Sequence, residues 1–154
     1  MGDALFYHLT RSRTAQAAGQ ILEKCLARGW RVAVRGTDRA ALEALDAALW
    51  LGPEEGFLPH GLAGGRHDAR QPVLLTTEPE APNRPDCLIA VDGATVTPEE
   101  VAAHARTCIL FDGADGDRVA AARAQWTALT RAGAAAQYWS EEGGRWEMKA
   151  RSTA

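Results

Sequence analysis

Lysine is almost missing from this chain of 154 residues, two against fifteen arginines, and no surplus of basic charge makes up for it. Twenty acidic residues outnumber seventeen basic ones, leaving a net charge of −3. Sequence-independent binding of DNA or RNA usually rests on a basic surface that neutralises phosphates. Direct sequence-specific recognition of nucleic acid is likewise not expected. Arginine is the side chain suited to planar, two-pronged capture of carboxylates, so an acidic peptide is a better-matched ligand than a duplex. Long apolar runs are lacking too: none approaches the roughly 20 residues of a membrane helix, and no membrane contact is expected. The first residues carry neither the basic flank nor the apolar core of an export signal, which points to a cytoplasmic protein. Cysteine is scarce: Cys25, Cys87 and Cys108 are an odd number with no close pair in sequence. Each lies in an apolar segment, as a reduced, buried thiol would.

Several catalytic signatures are also missing. A dinucleotide site needs a glycine-rich turn after the first strand, and His8-Leu9-Thr10-Arg11-Ser12-Arg13 contains no glycine. Gly61-Leu62-Ala63-Gly64-Gly65 has glycines but neither the Lys-Ser/Thr pair of a phosphate loop nor a strand before it. There is no G-x-S-x-G elbow and no cysteine in a catalytic setting. His60, His67 and Asp68 define no metal geometry by spacing, and Ala114 and Gly116 interrupt what Asp112, Asp115 and Asp117 would need for a calcium loop. The aspartates read as a strand end and a helix cap. Carboxylates at the carboxyl end of a parallel strand also suit a small α/β enzyme using a phosphate or metal-bound ligand at Asp112 and Asp115, which is the alternative reading. The leading expectation is a protein with no catalytic residue, no metal and no cofactor.

What is present is an alternation of strands and helices. Leu5 to Leu9 is a short aromatic-rich strand, and Ala18, Ile21, Leu22, Cys25 and Leu26 repeat at helical spacing up to Gly29. Arg31 to Arg35 alternates as a strand, and Asp38 can cap a helix carrying Leu42, Leu45 and Leu49. Val73 to Thr76 and Cys87 to Val91 are continuous apolar runs, as in strands covered on both faces. Thr97-Pro98-Glu99-Glu100 is a capping box with Pro at the first helical position. Thr107 to Phe111 reads as a strand, about 117 to 132 as a helix with Val119, Ala122, Trp126 and Leu129 on one face, and Gln137 to Trp139 as a last strand. The expectation is one Rossmann-like three-layer α/β domain over 1–140, its central sheet mostly parallel and flanked by helices, followed by a flexible tail over 141–154.

About twenty residues from Leu51 to Pro72 lack regular periodicity, which is long for a connection inside a compact domain. Trp50, Phe57, Leu58, Pro59 and Leu62 in and beside it suit either cover for the sheet edge or an interface, where aromatic and Arg side chains are the usual anchors.

Phe6-Tyr7, Trp30-Arg31-Val32, Leu45-Asp46-Ala47-Ala48-Leu49-Trp50 and Phe57-Leu58-Pro59-His60-Gly61-Leu62-Ala63-Gly64 occur in that order. Pro72-Val73, Leu110-Phe111-Asp112-Gly113 and the Arg123 to Gly133 helix follow. In this series the chain resembles the chi subunit of bacterial DNA polymerase III holoenzyme, over almost its whole length. The resemblance implies a Rossmann-like, noncatalytic accessory subunit, associated with the clamp loader, that takes part in DNA replication. It further implies binding to the acidic C-terminal tail of single-stranded DNA-binding protein, with Arg123 as the key cation, Trp126 as a neighbouring aromatic and Arg131 close by. Trp50, Phe57, Pro59 and His60 then match a holoenzyme partner interface, for the psi subunit, another clamp-loader subunit or a helicase-like protein. Thr127 and Thr130 stand where relatives of this kind can carry further basic residues.

Overall fold

The computed structural model describes residues 2–50 and 60–152, apart from the side chain of Trp50. Its elements are β1 (Asp3–Leu9), α1 (Thr14–Ala27), β2 (Val32–Arg35), α2 (Arg39–Trp50), β3 (Gly61–Leu62), β4 (Val73–Thr76), β5 (Cys87–Ala90), α3 (Pro98–Ala103), β6 (Arg106–Asp112), α4 (Gly116–Arg131), β7 (Ala135–Ser140) and β8 (Glu147–Ser152). They form an eight-stranded sheet in the order β3-β4-β2-β5-β6-β1-β7-β8. Every pairing is parallel except β7 with β8. Helices α1 and α2 cover one face and α3 and α4 the other, which gives the expected three-layer α/β arrangement.

Two cores result, and strand alternation separates them. Leu5, Leu9, Val32, Val34, Val73, Leu75, Ile89 and Leu110 pack beneath α1 and α2. Ala4, Phe6, Ala33, Leu88, Ile109 and Phe111 pack beneath α3 and α4. The three cysteines are buried free thiols in the first core. The Cys87 thiol lies between those of Cys25 and Cys108, a grouping their spacing in sequence does not reveal. The neighbouring Cys87 thiol, together with burial, pushes the Cys25 thiol far above its ordinary pKa.

Local signals account for most helix ends. Thr97 and Glu100 make the reciprocal capping box before α3. The Asp115 side chain accepts from the amides of Asp117 and Arg118 at the start of α4. Gly29, at φ 77°, closes α1, with its own amide bonded to Leu26 O at 3.0 Å and the Trp30 amide to Cys25 O at 3.0 Å. Among its described residues, the stretch expected to be irregular contains β3, a two-residue strand at the sheet edge, and a 3-10 turn at Asp68–Arg70.

The C-terminal segment departs from expectation. Where a flexible tail was expected from 141, residues Glu147–Ser152 form β8, antiparallel to β7. The turn before it closes through Gly144, at φ 92°, whose amide bonds Glu141 O at 2.9 Å. Trp146 packs perpendicular to Tyr7 with ring centroids 5.3 Å apart. As an edge strand β8 alternates Glu147, Lys149 and Arg151 with Met148 and Ala150, but nearly all its residues are exposed, so this short alternation behind Gly143-Gly144 marks no buried face.

Two carboxylates tie distant segments together. Glu100 forms an ion pair with Arg35, which also donates to Pro79 O at 2.8 Å and Thr95 O at 3.1 Å. Glu141, 5% exposed at the end of β7, reaches the turn after β1. Its Oε2 accepts from the amides of Thr10, Arg11 and Ser12 at 3.1, 3.2 and 2.9 Å, and its Oε1 from the Ser12 hydroxyl at 2.7 Å. These are the amides of the β1–α1 turn, where dinucleotide folds receive a phosphate. Burial tends to raise the pKa of Glu141, but the Ser12, Arg11 and Thr10 donors outweigh it and hold the carboxyl below the ordinary range.

A carboxyl whose pKa is lowered by folding stabilises the fold above its unfolded value, about 4.3 for Glu, and loses that contribution as pH falls through the folded value. Glu141→Gln is therefore expected to cost on the order of 2 kcal/mol at neutral pH. Denaturant titrations at neutral pH and in acid check this: the gap between wild type and variant should narrow below about pH 4.

Candidate protein-binding site on the last helix

Helix α4 sits on the sheet through Ala122 and Leu129, both buried, with Val119 and Trp126 partly buried beside them. Its position along the sheet is set by Gln125. That amide accepts from Val96 N at 3.0 Å and donates to Ala94 O at 3.2 Å, so the helix is locked to the segment ahead of α3. The Arg118 side chain lies against Gly93, which is at φ 80° and leaves no room for a Cβ.

Under the second half of α4, an aromatic cluster is assembled from elements remote in sequence. Trp126 meets Phe6 of β1 edge-to-face at 5.4 Å and Tyr138 of β7 at 6.1 Å. Tyr138 stacks on Phe6 at 6.5 Å and approaches Phe111 of β6 at 5.9 Å. His8, two residues after Phe6 and therefore on the same sheet face, shares a 2.8 Å hydrogen bond between its Nδ1 and the Tyr138 hydroxyl. The imidazole also lies against Gly113, where a β-carbon would collide with it. Such pairs contribute roughly 0.5–1.5 kcal/mol each beyond area burial, so Trp126 is held rigidly.

Arg123, one turn before Trp126, is exposed, and its side chain has no hydrogen-bond or ion-pair partner among the described residues. It lies close enough to Tyr138 to act on its ionisation. Burial raises the Tyr138 pKa, Arg123 opposes the rise and Glu142 adds to it, and the net shift is upward. Arg131, also exposed, ends the helix. The two threonines between them are occupied by their own helix: Thr127 donates to Arg123 O at 3.1 Å and Thr130 to Trp126 O at 2.8 Å. The exposed positive charge on the second half of α4 is thus carried by Arg123 and Arg131.

The second predicted surface is only partly visible. Phe57 and Pro59 lie outside the described residues, as does the side chain of Trp50. His60 is in the interior, its imidazole wholly buried with Nε2 at 3.2 Å from Asp46 O and 3.3 Å from Asp46 Oδ1 of α2. It pins the chain beside β3 to α2, a positioning role. The carboxylates of the alternative enzyme reading are used locally. Asp112 accepts from Ala114 N at 2.9 Å, and Asp115 caps α4. Among the described residues no group of three or more His, Cys, Asp and Glu side chains could hold a metal ion, and no helix is long and apolar enough to cross a membrane.

Comparison with known proteins adds a family. A family model described as DNA polymerase III chi subunit, HolC, matches residues 1–137. A curated protein from Rickettsia prowazekii (strain Madrid E), "Probable DNA polymerase III subunit chi", is 28% identical over 85 residues, 55% of this chain and 52% of that protein. The match thus spans about half the length of that relative.

The geometry separates binding from folding on α4. Replacing exposed, unpaired Arg123 by Ala is expected to change stability by no more than about 0.5 kcal/mol. Trp126→Ala, which empties the centre of the cluster, should cost on the order of 2–3 kcal/mol. Chemical denaturation of the two variants checks both values.

Proposed function

The chain belongs to the DNA polymerase III chi subunit family, and from that membership we propose that it is a noncatalytic accessory subunit of the replicative polymerase, associated with the clamp loader. In this reading it links the holoenzyme to single-stranded DNA-binding protein by holding that protein's acidic C-terminal tail on α4. The supporting observation is a single pairing: Trp126 fixed in an aromatic bed, with Arg123 exposed and unpaired one turn away. An aromatic side chain of the tail would lie against Trp126, and the guanidinium of Arg123 would take a carboxylate in two-pronged fashion. Arg131 adds a second charge at the helix end. With Thr127 and Thr130 bonded to backbone, attraction for the tail rests on these arginines.

A second contact, to psi, another clamp-loader subunit or a helicase-like protein, is assigned to Trp50, Phe57 and Pro59. His60, which follows Pro59 in sequence, is held to α2 through Asp46.

Titration of the protein with a synthetic acidic peptide ending in Pro-Phe tests the reading. Wild type should bind, and affinity should fall as salt rises, since the contact is largely ionic. Arg123→Ala should weaken binding by about tenfold or more, the loss expected for one charge-assisted contact at an interface. Equal binding by the variant, or none by wild type at low salt, rejects the assignment.

A further inference from the structure

The opposite face of the sheet carries a cavity that the α4 site does not use. It has a volume of about 530 Å³ and lies between α1 and the β1-β7-β8 end of the sheet, which α1 leaves partly uncovered. Its walls are aromatic: Tyr7 from β1, Trp139 from β7, Trp30 just ahead of β2 and Trp146 just ahead of β8. Trp139 and Trp146 lie beyond the residues matched by the family model.

The charge of this cavity is one-sided. Lys24, Arg28 and Arg106 line it, none of its twelve lining residues is acidic, and none of the three cations has an ion-pair partner among the described residues. Helix C-termini attract cations, which by itself would account for Lys24 and Arg28. The closing carbonyls of α1, however, are already taken by the backbone amides of Arg28, Gly29 and Trp30, and Arg106 comes from a different element. Hydrogen-bonding capacity is skewed in the same sense. The cations are donors only, and the indole N–H groups of Trp30 and Trp146 have no partner among the described residues. In a protein of net charge −3, a donor-rich, acid-free, aromatic-walled cavity is complementary to a carboxylate-bearing ligand with an apolar body.

Two observations favour a peptide over a nucleic acid strand. Base stacking needs an open ring face, and Trp30 is already covered by the guanidinium groups of Arg28 at 4.9 Å and Arg106 at 5.6 Å from its ring centre. The cations are also gathered around one cavity in a chain that is acidic overall, whereas a phosphate backbone is followed by an extended basic surface. We infer that this cavity is a second protein-docking site, distinct from the α4 face, which takes an internal acidic segment of a partner protein by burying one bulky apolar side chain among Tyr7, Trp30, Trp139 and Trp146 while Lys24, Arg28 and Arg106 pair with its flanking carboxylates.

The test uses an acetylated, amidated peptide, Glu-Asp-Asp-Phe-Asp-Glu, with no free terminal carboxylate, titrated calorimetrically at low salt. Wild type and Arg123→Ala should bind it equally, while the double variant Arg28→Gln, Arg106→Gln should lose about tenfold or more in affinity, as expected when two charge pairs are removed. Trp146→Ala, outside the regular strands, should give a comparable loss with all three basic residues intact, and it decides the matter should the double variant fail to fold. No binding by wild type overturns the proposal, as does equal binding by these variants. A loss confined to Arg123→Ala assigns the peptide to α4 and also overturns it. Tighter binding of a thymidine oligonucleotide of similar charge, lost in the same variants, replaces the peptide with a single strand and overturns it as well.

Discussion

The two-residue alternation of β1 is the constraint on which the rest depends. This strand pairs with β6 on one side and β7 on the other, and its three consecutive rings cannot share a face. Phe6 and His8 therefore go under α4 and build the bed that holds Trp126, while Tyr7 goes the other way, into the wall of the cavity beside α1. A slip of one residue in register would exchange the two sets and dismantle both surfaces. Burial raises the Tyr7 pKa far above its ordinary value, so its hydroxyl stays protonated.

Charge is distributed in a way that suits binding better than catalysis. The carboxylates best placed to act as ligands or bases are engaged internally: Glu141 with three turn amides and Ser12, Glu100 with Arg35, Asp115 as a helix cap and Asp112 with Ala114 N. The turn amides that would approach a phosphate in a dinucleotide fold thus hold a carboxylate of this chain itself. Arg123 and Arg131 on one face, and Lys24, Arg28 and Arg106 on the other, have no ion-pair partner among the described residues. An acidic protein therefore presents two separate cationic, aromatic surfaces.

Features governed by local chemistry could be read from the sequence. The capping box at Thr97, the Asp115 cap, the glycine stop at Gly29, the continuous apolar strands Val73–Thr76 and Cys87–Ala90 and the buried face of α4 all follow from neighbours within a few residues. What escaped was long-range or weakly patterned. Glu141 finds its partners about 130 positions away, Arg35 looks like an ordinary strand end until Glu100 reaches it, and β8 is an edge strand whose short alternation of Met148 and Ala150 stays exposed. Trp126 and Arg123 were legible as neighbours on a helix. The bed of Phe6, Phe111 and Tyr138 that makes Trp126 rigid required the register of three strands. The wall formed by Tyr7, Trp30, Trp139 and Trp146 escaped for the same reason.

The five tryptophans offer a direct test, because each indole N–H gives its own resonance in a protein labelled with nitrogen-15. During titration with the acidic peptide ending in Pro-Phe, the Trp126 signal should move in step with the backbone amides around Arg123, while those of Trp30, Trp139 and Trp146 lag behind. If the Trp126 signal stays fixed while any other indole follows the binding curve, the tail does not sit on α4.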